Sequence, residues 1–289
     1  MTERDQSHRG SPGSDEGVLI LVGTPIGNLA DLSPRGVDAL ASADVVACED
    51  TRRTGRLLQH AGISAPRLLR VDEHTEAAGA AEIVDLVGAG RTVALVTDAG
   101  MPGISDPGER VVAAVVDAGL AVDCIPGPSS VLMALVLSGL STARFAVEGF
   151  LPRKGPARRS RLAEVAAERR TVVVLESPHR VVATIDDLVA ACGPHRRVAL
   201  ARELTKLHQE VWRGTLSEAG EHLAEHPPRG EYVLVLDGAP EPEEATDTDI
   251  IAALRQELDG GASRRDAAAT VAARLGVSRR RVYSLALEG

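Results

Sequence analysis

Aromatic residues, cysteines and long apolar runs are all scarce in this chain of 289 residues. Phe, Trp and Tyr make up 2% of it, which disfavours an aromatic platform on which several nucleic-acid bases would stack. Cys48, Cys124 and Cys192 lie far apart and form no CxxC pair, so a zinc site or a disulfide framework is not expected. No apolar run approaches the ~18 residues of a membrane helix. These absences predict a cytoplasmic protein with neither a metal nor a membrane partner.

The charge balance also narrows the class of function. The net charge is −9, so any contact with nucleic acid must use local basic patches and not the charge of the whole molecule. Hydrophobic residues make up 44% and charged residues 25%, as in ordinary globular proteins, and the length suits two domains. Residues 1–16 are polar, lack an apolar segment and predict a disordered tail instead of a signal peptide.

The most informative stretch covers residues 92–108. Residues 93–96 form a continuous apolar run, which predicts a strand buried on both faces. Five turn-forming residues then crowd into nine positions: Gly100, Pro102, Gly103, Pro107 and Gly108. A polar, glycine-rich loop at the carboxyl end of a parallel strand is where open α/β sheets bind ligands, so we expect a ligand-binding loop here.

Apolar runs alternate with helical patterns along most of the chain, which predicts an α/β fold with two α/β domains. A parallel sheet is expected for residues 17–125, a break at Pro126, and a mixed sheet for residues 126–240. The predicted strands are 18–22, 45–48, 68–71, 93–96, 122–125, 145–150, 171–175, 197–201, 211–215 and 232–236. The predicted helices include 56–60, 76–88, 109–118, 130–138 and 181–191, with one more between residues 151 and 170.

The last segment, residues 246–289, has a different pattern. An acidic linker enters a helix, and Ser263 and Ser278 are good caps for two further helices, ending at Leu275 and Leu287. Gly276 stands at the turn of a helix-turn-helix spacing. We therefore predict a small C-terminal helix-turn-helix, with arginines at the start of its second helix where such motifs contact nucleic acid.

Five polar loops that follow predicted strands carry the candidate chemistry, and they suggest one ligand cleft between the two domains. The loop at residues 23–28 lacks the Lys-Ser or Lys-Thr of a P-loop and the GxGxxG spacing of a dinucleotide site, so neither ATP hydrolysis nor NAD chemistry is indicated. The other loops lie at residues 97–108, 126–130, 176–180 and 202–206.

Taken in order, these segments resemble a known family. The chain carries VGTPIGNLADLSPRGVDAL, EDTRRTGRLL, TDAGMPGISDPG, IPGPSS, EGFLPRKG, LESPHRV, RELTKLHQEVWRG and GEYVLVLDG. Together they are similar to the ribosomal RNA small subunit methyltransferase I family, of the tetrapyrrole-methylase (class III) superfamily. The resemblance implies two α/β domains with S-adenosylmethionine (AdoMet) in the cleft between them. It also implies 2′-O-methylation of a cytidine in 16S rRNA of the small ribosomal subunit, and a homodimer.

The resemblance implies roles for three groups of residues. The cofactor contacts implied are Pro25, Ile26, Gly27, Asn28, Asp98, Gly100, Met101, Ile104, Ser129, Ser130, Glu176, Ser177 and Thr205. The catalytic candidates, among which the sequence does not choose a general base, are Glu49, Asp50, His179, Glu203 and, if its pKa is depressed, Lys206. The RNA contacts expected are Arg52, Arg53, Arg153, Lys154, Arg180, Arg202, Arg279 and Arg280.

Met101 departs from the family pattern, which commonly has Thr at this position, so the loop loses one hydroxyl. Asp98 and Asp106 are expected to shape the loop or contact the cofactor and not to act as bases. Two other functions stay open at this point. One is a precorrin-type tetrapyrrole methyltransferase of the same superfamily, and the other is a nucleic-acid-binding regulator that uses the helix-turn-helix.

Overall fold

The computed structural model describes residues 16–64, 66–241 and 245–288. The strands in these ranges are β1 (Val18–Val22), β2 (Val45–Cys48), β3 (Arg67–Arg70), β4 (Thr92–Val96), β5 (Ala121–Ile125), β6 (Phe145–Phe150), β7 (Thr171–Glu176), β8 (Arg197–Arg202), β9 (Glu210–Thr215) and β10 (Tyr232–Leu236). The helices are α1 (Pro34–Ser42), α2 (Thr51–His60), α3 (Glu76–Gly88), α4 (Glu109–Asp117), α5 (Ser130–Ser138), α6 (Gly155–Ala167), α7 (Val181–Cys192), α8 (Leu216–Glu225), α9 (Asp247–Asp259), α10 (Arg264–Leu275) and α11 (Arg279–Glu288). The predicted tail falls, apart from Glu16, outside the described residues.

The first sheet is parallel throughout, with the strand order β3-β2-β4-β1-β5. Its central strands are buried on both faces, as their unbroken apolar runs predict. Leu19 and Leu95 pack on one side in a cluster with α3 and α4, and Val22 and Val96 pack on the other with α1. Because all five strands run in the same direction, the loops that follow them meet at one edge of the sheet.

The second sheet is mixed, with the order β6-β7-β10-β8-β9. Strand β10 runs antiparallel to both β7 and β8, and Tyr232 pairs with Glu176 on one side and with Arg202 on the other. The residues that precede β10 therefore lie at the same edge as the residues that follow β7 and β8. Helix α5 packs on one face of this sheet through Leu135, which clusters with Val173 and Val235.

The described part of the chain divides into two compact units, one that ends at Ala239 and one that begins at Pro240, and both sheets belong to the first. In the second unit α9, α10 and α11 enclose a small apolar cluster that includes Ile250, Val271 and Val282. Gly276 ends α10 in a left-handed conformation (φ 66°), and the Ser263 side chain accepts a hydrogen bond at its start. No helix in the described ranges is long and apolar enough to cross a membrane.

Two helices differ from the sequence prediction. Helix α2 begins at Thr51 and not at Arg56, because the Asp50 carboxylate accepts hydrogen bonds from the backbone N–H groups of Arg52 and Arg53 and caps the helix there. Helix α8 was not predicted, although the sequence contains its start signal. Thr215 and Glu218 form a reciprocal capping box directly after β9.

Candidate active site

The loops at the facing edges of the two sheets enclose a cavity of about 300 Å³. The first sheet contributes the loops after β1, β4 and β5, and the second contributes the ends of β6, β7 and β8 and the start of β10. The residues that line it are Ile26, Ala99, Gly100, Met101, Ile104, Ser105, Asp106, Ser129, Ser130, Val131, Phe150, Leu175, Glu176, Ser177, Pro178, Leu204, Lys206, Glu231, Tyr232 and Val233. The predicted loop cluster is therefore present, and its lining is mostly apolar with a few polar groups, as in small-molecule sites.

The first-sheet side of the cavity is held together by backbone contacts. Thr24 and Gly100 form an antiparallel bridge, with N–H to carbonyl distances of 2.9 and 3.1 Å, and the Thr24 hydroxyl also donates to the carbonyl of Thr97. Gly23 lies so close to Gly127 that a Cβ atom added at either residue would be 2.6–2.7 Å from backbone atoms of the other. The loops after β1, β4 and β5 thus pack into one layer. The contact between Gly23 and Gly127 within it is possible only because neither residue has a side chain.

The β4–α4 loop departs furthest from ordinary backbone geometry. Gly100, Gly103 and Gly108 have positive φ, and so does Ser105 (φ 62°), which carries a side chain. On the second sheet, Glu203 (φ 50°) and Thr205 (φ 65°) share this left-handed conformation. Non-glycine residues with positive φ are uncommon, and they concentrate at functional sites. The three that occur in the described chain all lie in the two loops beside the cavity.

Eight of the thirteen predicted cofactor residues line the cavity: Ile26, Gly100, Met101, Ile104, Ser129, Ser130, Glu176 and Ser177. The other five do not line it. Asn28 and Thr205 form a contact between the two sheets instead, in which the Asn28 N–H donates to the Thr205 hydroxyl at 3.1 Å. Gly27 supports the same contact, since a Cβ atom there would be 2.5 Å from Cγ of Lys206. Pro25 adjoins this loop, and Asp98 lines a different hollow.

Glu176 is 2% exposed, and its carboxylate is held by a buried network. One oxygen accepts from the Ser177 N–H at 2.9 Å, and the other accepts from the Thr184 hydroxyl at 2.7 Å. Thr184 in turn accepts from Nη2 of Arg158 at 3.0 Å, while Nε of Arg180 lies 3.4 Å from the carboxylate. Both oxygens have a hydrogen-bond partner, so a charge that would be costly to bury alone is held in one orientation at the cavity wall.

Lys206 is the one predicted catalytic candidate that lines the cavity. Its ammonium group donates to Glu203 at 2.9 Å and to Glu231 at 3.0 Å. Burial lowers the pKa of Lys206, but the hydrogen bonds and charges of these carboxylates outweigh it, so the pKa lies above its ordinary value. From the sequence, Lys206 is a candidate base only if its pKa is depressed, and this condition is not met, because the residue is a cation at neutral pH.

Glu49 and Asp50 lie in a separate hollow of about 330 Å³, together with Asp98 and Asp72. Burial and the neighbouring Asp98 raise the pKa of Glu49. The Asp50 pKa falls to about 2, because Arg52 donates to it from its side chain and its backbone. Among the described residues, the buried Oδ1 atom of Asp98 has no hydrogen-bond partner. Two candidate bases are thus grouped beside the main cavity and not in it.

The predicted RNA contacts fall into two groups. Arg153, Lys154, Arg279 and Arg280 are exposed, and none forms an ion pair within the described ranges. Others are already engaged: Arg52 with Asp50, Arg53 with Asp98, Arg180 with Glu176 and Arg202 with Glu210. His179, a predicted catalytic candidate, is exposed and does not line the cavity.

Comparison with known proteins identifies the family. The protein-family model described as Tetrapyrrole (Corrin/Porphyrin) Methylases matches residues 18–220. Ribosomal RNA small subunit methyltransferase I of Synechocystis sp. is 43% identical over 94% of this chain and 98% of its own length. The protein of that name from Mycobacterium tuberculosis is 45% identical over 94% of this chain and 95% of its own. The chain belongs to the ribosomal RNA small subunit methyltransferase I family.

A solved structure supports the fold of this family member. Uroporphyrin-III C-methyl transferase from Thermus thermophilus, complexed with S-adenyl homocysteine, has a TM-score of 0.54 and 20% identity. The match covers 77% of this chain and 97% of that one. It confirms the predicted α/β architecture of the tetrapyrrole-methylase type.

In the described part of the chain, no group of three or more His, Cys, Asp or Glu side chains is arranged to hold a metal.

Several cavity residues of this family member were missed by the sequence reasoning. Glu231 precedes β10 and Tyr232 is its first residue, and only the antiparallel course of that strand brings them to the site. Phe150 ends β6 within the motif EGFLPRKG, of which only the basic residues were considered. Asp106 lies in the β4–α4 loop, and from the sequence it was expected to shape the loop or contact the cofactor and not to act as a base. Burial raises its pKa to about 6, and Glu49, Asp98 and Glu231 add to the shift.

Proposed function

We propose that this protein transfers the methyl group of AdoMet to the 2′-oxygen of a cytidine in 16S rRNA of the small ribosomal subunit. The observation that carries the proposal is the cavity between the two sheets, in a chain 43–45% identical over 94% of its length to proteins named for ribosomal RNA methylation. The proposal implies that the protein works in the cytoplasm, where ribosomes are modified.

The residues of the cavity suit AdoMet, which combines a flat adenine ring with a cationic sulfonium and a cationic amino group. Ile26, Met101 and Val233 supply apolar walls for the adenosine. The carboxyl group of Glu176, at the end of β7, suits the cationic groups of the cofactor. Backbone carbonyls in the glycine-rich loop accept weak C–H hydrogen bonds of the kind that orient a polarised methyl group. When bound, AdoMet supplies an electrophilic methyl group.

The residues of this chain must then position the ribose hydroxyl and accept its proton. We assign the role of proton acceptor to Asp106, because its carboxyl group lines the cavity and has a pKa of about 6, close to the working pH. Lys206, held as a cation by Glu203 and Glu231, supplies positive charge for the oxygen as it becomes negative. Positioning of the two reactants accounts for much of the remaining rate enhancement.

The RNA surface that we propose combines two regions. Arg153 and Lys154 follow the cavity residue Phe150 in the chain and suit the phosphates next to the target nucleotide. The C-terminal unit forms the second region, as a helix-turn-helix with Arg279 and Arg280 at the start of α11. Removing residues 246–289 should weaken RNA capture while AdoMet binding persists. Unchanged kinetics on ribosomal subunits would contradict this role.

We also propose that the protein is a homodimer. Leu132 and Val136, one turn apart on α5, are 52% and 67% exposed, an apolar face that a second copy would cover. Sedimentation of the full chain tests this proposal, with a dimer expected at micromolar concentration.

The decisive test of the function is a transfer assay with labelled AdoMet. Small subunits that lack the modification are offered in one reaction and a uroporphyrin-type tetrapyrrole in another. We expect label in 16S rRNA, recovered as 2′-O-methylcytidine after nuclease digestion. Label in the tetrapyrrole and none in RNA would instead establish the alternative suggested by the structural neighbours. Tight duplex binding with no transfer to either would favour a regulator.

A further inference from the structure

Phe150 is the exposed aromatic side chain at the mouth of the cavity. It lines the cavity and yet is 55% exposed, in a chain that contains only two phenylalanines. A single exposed apolar residue is ordinary on a protein surface. An exposed aromatic ring at the rim of an active site, on a fixed backbone, indicates a contact with the substrate.

The backbone of β6 turns this ring toward the cavity. The register between β6 and β7 shifts between Val147 and Gly149, and Gly149 has φ of 60°. Such a bulge changes the direction of the side chain that follows it, and bulges are frequent beside active sites. Gly149 also allows close approach to the loop after β4, since a Cβ atom there would be 3.3 Å from Oγ of Ser105.

The segment after the ring is fixed by hydrogen bonds from two arginine side chains. Leu151 is 2% exposed, and its carbonyl accepts from Nη2 of Arg180 at 2.7 Å. The carbonyl of Pro152 accepts from Nη1 of Arg158 at 3.0 Å. Both arginines belong to the network that holds Glu176. Phe150 therefore stands on a preorganised backbone, and a partner that covers it does not have to order a mobile loop.

The surroundings of the ring match the two halves of a nucleotide. Ile104, also 55% exposed, gives the same cavity a second apolar rim residue. Arg153 and Lys154, three and four residues after the ring, are exposed and without an ion pair in the described ranges. Proteins that bind unpaired RNA place bases on aromatic rings and phosphates on nearby cations. One ring fits one base, which agrees with the scarcity of aromatic residues in the chain.

We propose that Phe150 stacks on the base of the acceptor nucleotide, which enters unstacked from its neighbours, and so positions its ribose at the cavity mouth. The idea rests on the proposed function, because it specifies how the RNA substrate of the same site is held. Enzymes that do chemistry on a base extrude the nucleotide from the stack and hold its base against aromatic or apolar side chains. A nucleotide held in the same way would present its ribose hydroxyl to the cavity.

The test compares Phe150→Ala with Phe150→Tyr, with Val147→Ala as a matched control. Val147 is 42% exposed on the same strand but does not line the cavity. We expect kcat/KM for unmodified small subunits to fall about tenfold or more in Phe150→Ala. It should stay within about twofold of the wild type in the other two variants. The Kd for AdoMet, measured by calorimetry without RNA, should be unchanged in all three.

Two results would overturn the proposal. Wild-type kcat/KM in Phe150→Ala would show that the ring is dispensable. An equal loss of AdoMet affinity would make Phe150 a cofactor contact. If the Ala variant melts early, Phe150→Leu keeps the apolar volume without a planar face, and the same loss of kcat/KM is expected from it. A wild-type enzyme that labels no subunit RNA would contradict the proposed function itself, so the two failures are distinguishable.

Discussion

The two sides of the cavity are built by different means. The first sheet supplies backbone: its loops touch through Gly23 and Gly127 and are joined by the bridge between Thr24 and Gly100. The second sheet supplies charged side chains fixed by hydrogen bonds, chiefly Glu176. This division fits a ligand with a flat ring and cationic groups, because a close-fitting backbone surface can orient the ring while the buried carboxyl group of Glu176 favours the positive charge.

This difference in construction determines which substitutions each side of the cavity tolerates. A wall made of backbone is sensitive to added atoms, since a new Cβ must displace the neighbouring chain. A wall made of side chains is sensitive to removed atoms, since a lost hydroxyl leaves buried groups without partners. Asp106 is the exception, because it places a carboxyl group on the backbone side.

The largest effect is expected from an added methyl group on the backbone side. In Gly127→Ala the Cβ atom would lie 2.7 Å from backbone atoms of Gly23, so the loops after β1 and β5 must separate. Displacements of about 1 Å at an active site cost about 100-fold in rate, and we expect a loss of kcat/KM at least that large. Gly55→Ala is the control, because that position on α2 has nothing within 4 Å of the added atom. Wild-type activity in Gly127→Ala would refute the close-packed layer.

The next effect concerns the charge on the backbone side. Asp106→Asn should lower kcat about 100-fold at pH 8, as expected for loss of a general base. The wild-type rate should fall as the pH drops through about 6, where Asp106 takes up a proton, and the variant should lack this acid limb. A pH–rate profile of both proteins checks this, and an unchanged acid limb in the variant would assign the base elsewhere.

The same substitution should stabilise the fold. The pKa of Asp106 is raised from 3.8 to about 6, so the folded state holds the proton more tightly than the unfolded state. Its contribution to stability therefore declines as the pH rises from about 4 to about 6. Asp106→Asn should unfold at higher urea concentration than the wild type at pH 8, and an equal or lower midpoint would contradict the burial of this carboxyl group.

A smaller effect should follow from a hydroxyl removed on the side-chain side. Thr184 is fully buried and links Glu176 to Arg158. Thr184→Val leaves both groups short of a partner, which should cost about 1–3 kcal/mol in the free energy of unfolding. We also expect AdoMet to bind several-fold more weakly. Thr184→Ser keeps the hydroxyl and should restore AdoMet affinity, a rescue that a purely steric role of Thr184 would not produce.

The smallest effect is expected in the C-terminal unit, which has no part in the cavity lining. Replacing Arg279 and Arg280 by alanine should reduce RNA affinity a few-fold and lower the salt dependence of binding by about one unit of slope per arginine. Arg274→Ala is the control, because Arg274 is paired with Glu257 within the same unit. An unchanged salt dependence in the double variant would remove these arginines from the RNA surface.

Local sequence signals predicted the parts of this fold that depend on local physics. Unbroken apolar runs predicted β2 and β4, and the cap residues Ser263 and Gly276 predicted the two ends of α10. The start of α2 was misplaced because Asp50 was considered as a possible base and not as a helix cap. The missed helix α8 had its capping box in the sequence, but its short apolar pattern was less conspicuous than the flanking strands.

The site was predictable where it follows strands and unpredictable where topology decides. Loops after parallel strands meet at one edge of the sheet, so the loops that hold Gly100 and Ser129 were expected to lie together. The roles of single residues, including Glu176 at the end of β7, came from the family resemblance. Glu231 comes before a strand, and no local pattern shows that β10 runs antiparallel between β7 and β8. The raised pKa of Asp106 likewise depends first on burial in the folded chain and then on Glu49, which is distant in sequence. Burial and charge from distant segments are properties of the folded chain.

The account rests on the claim that AdoMet binds between the two sheets, and amide hydrogen exchange with and without S-adenosylhomocysteine tests it most directly. Binding to the folded state slows local opening of the segments that contact the ligand. The account predicts slower exchange in residues 97–108 and 126–130 of the first side and in residues 176–178 of the second, with residues 246–288 unchanged. Protection confined to one sheet, or to the C-terminal helices, would contradict it.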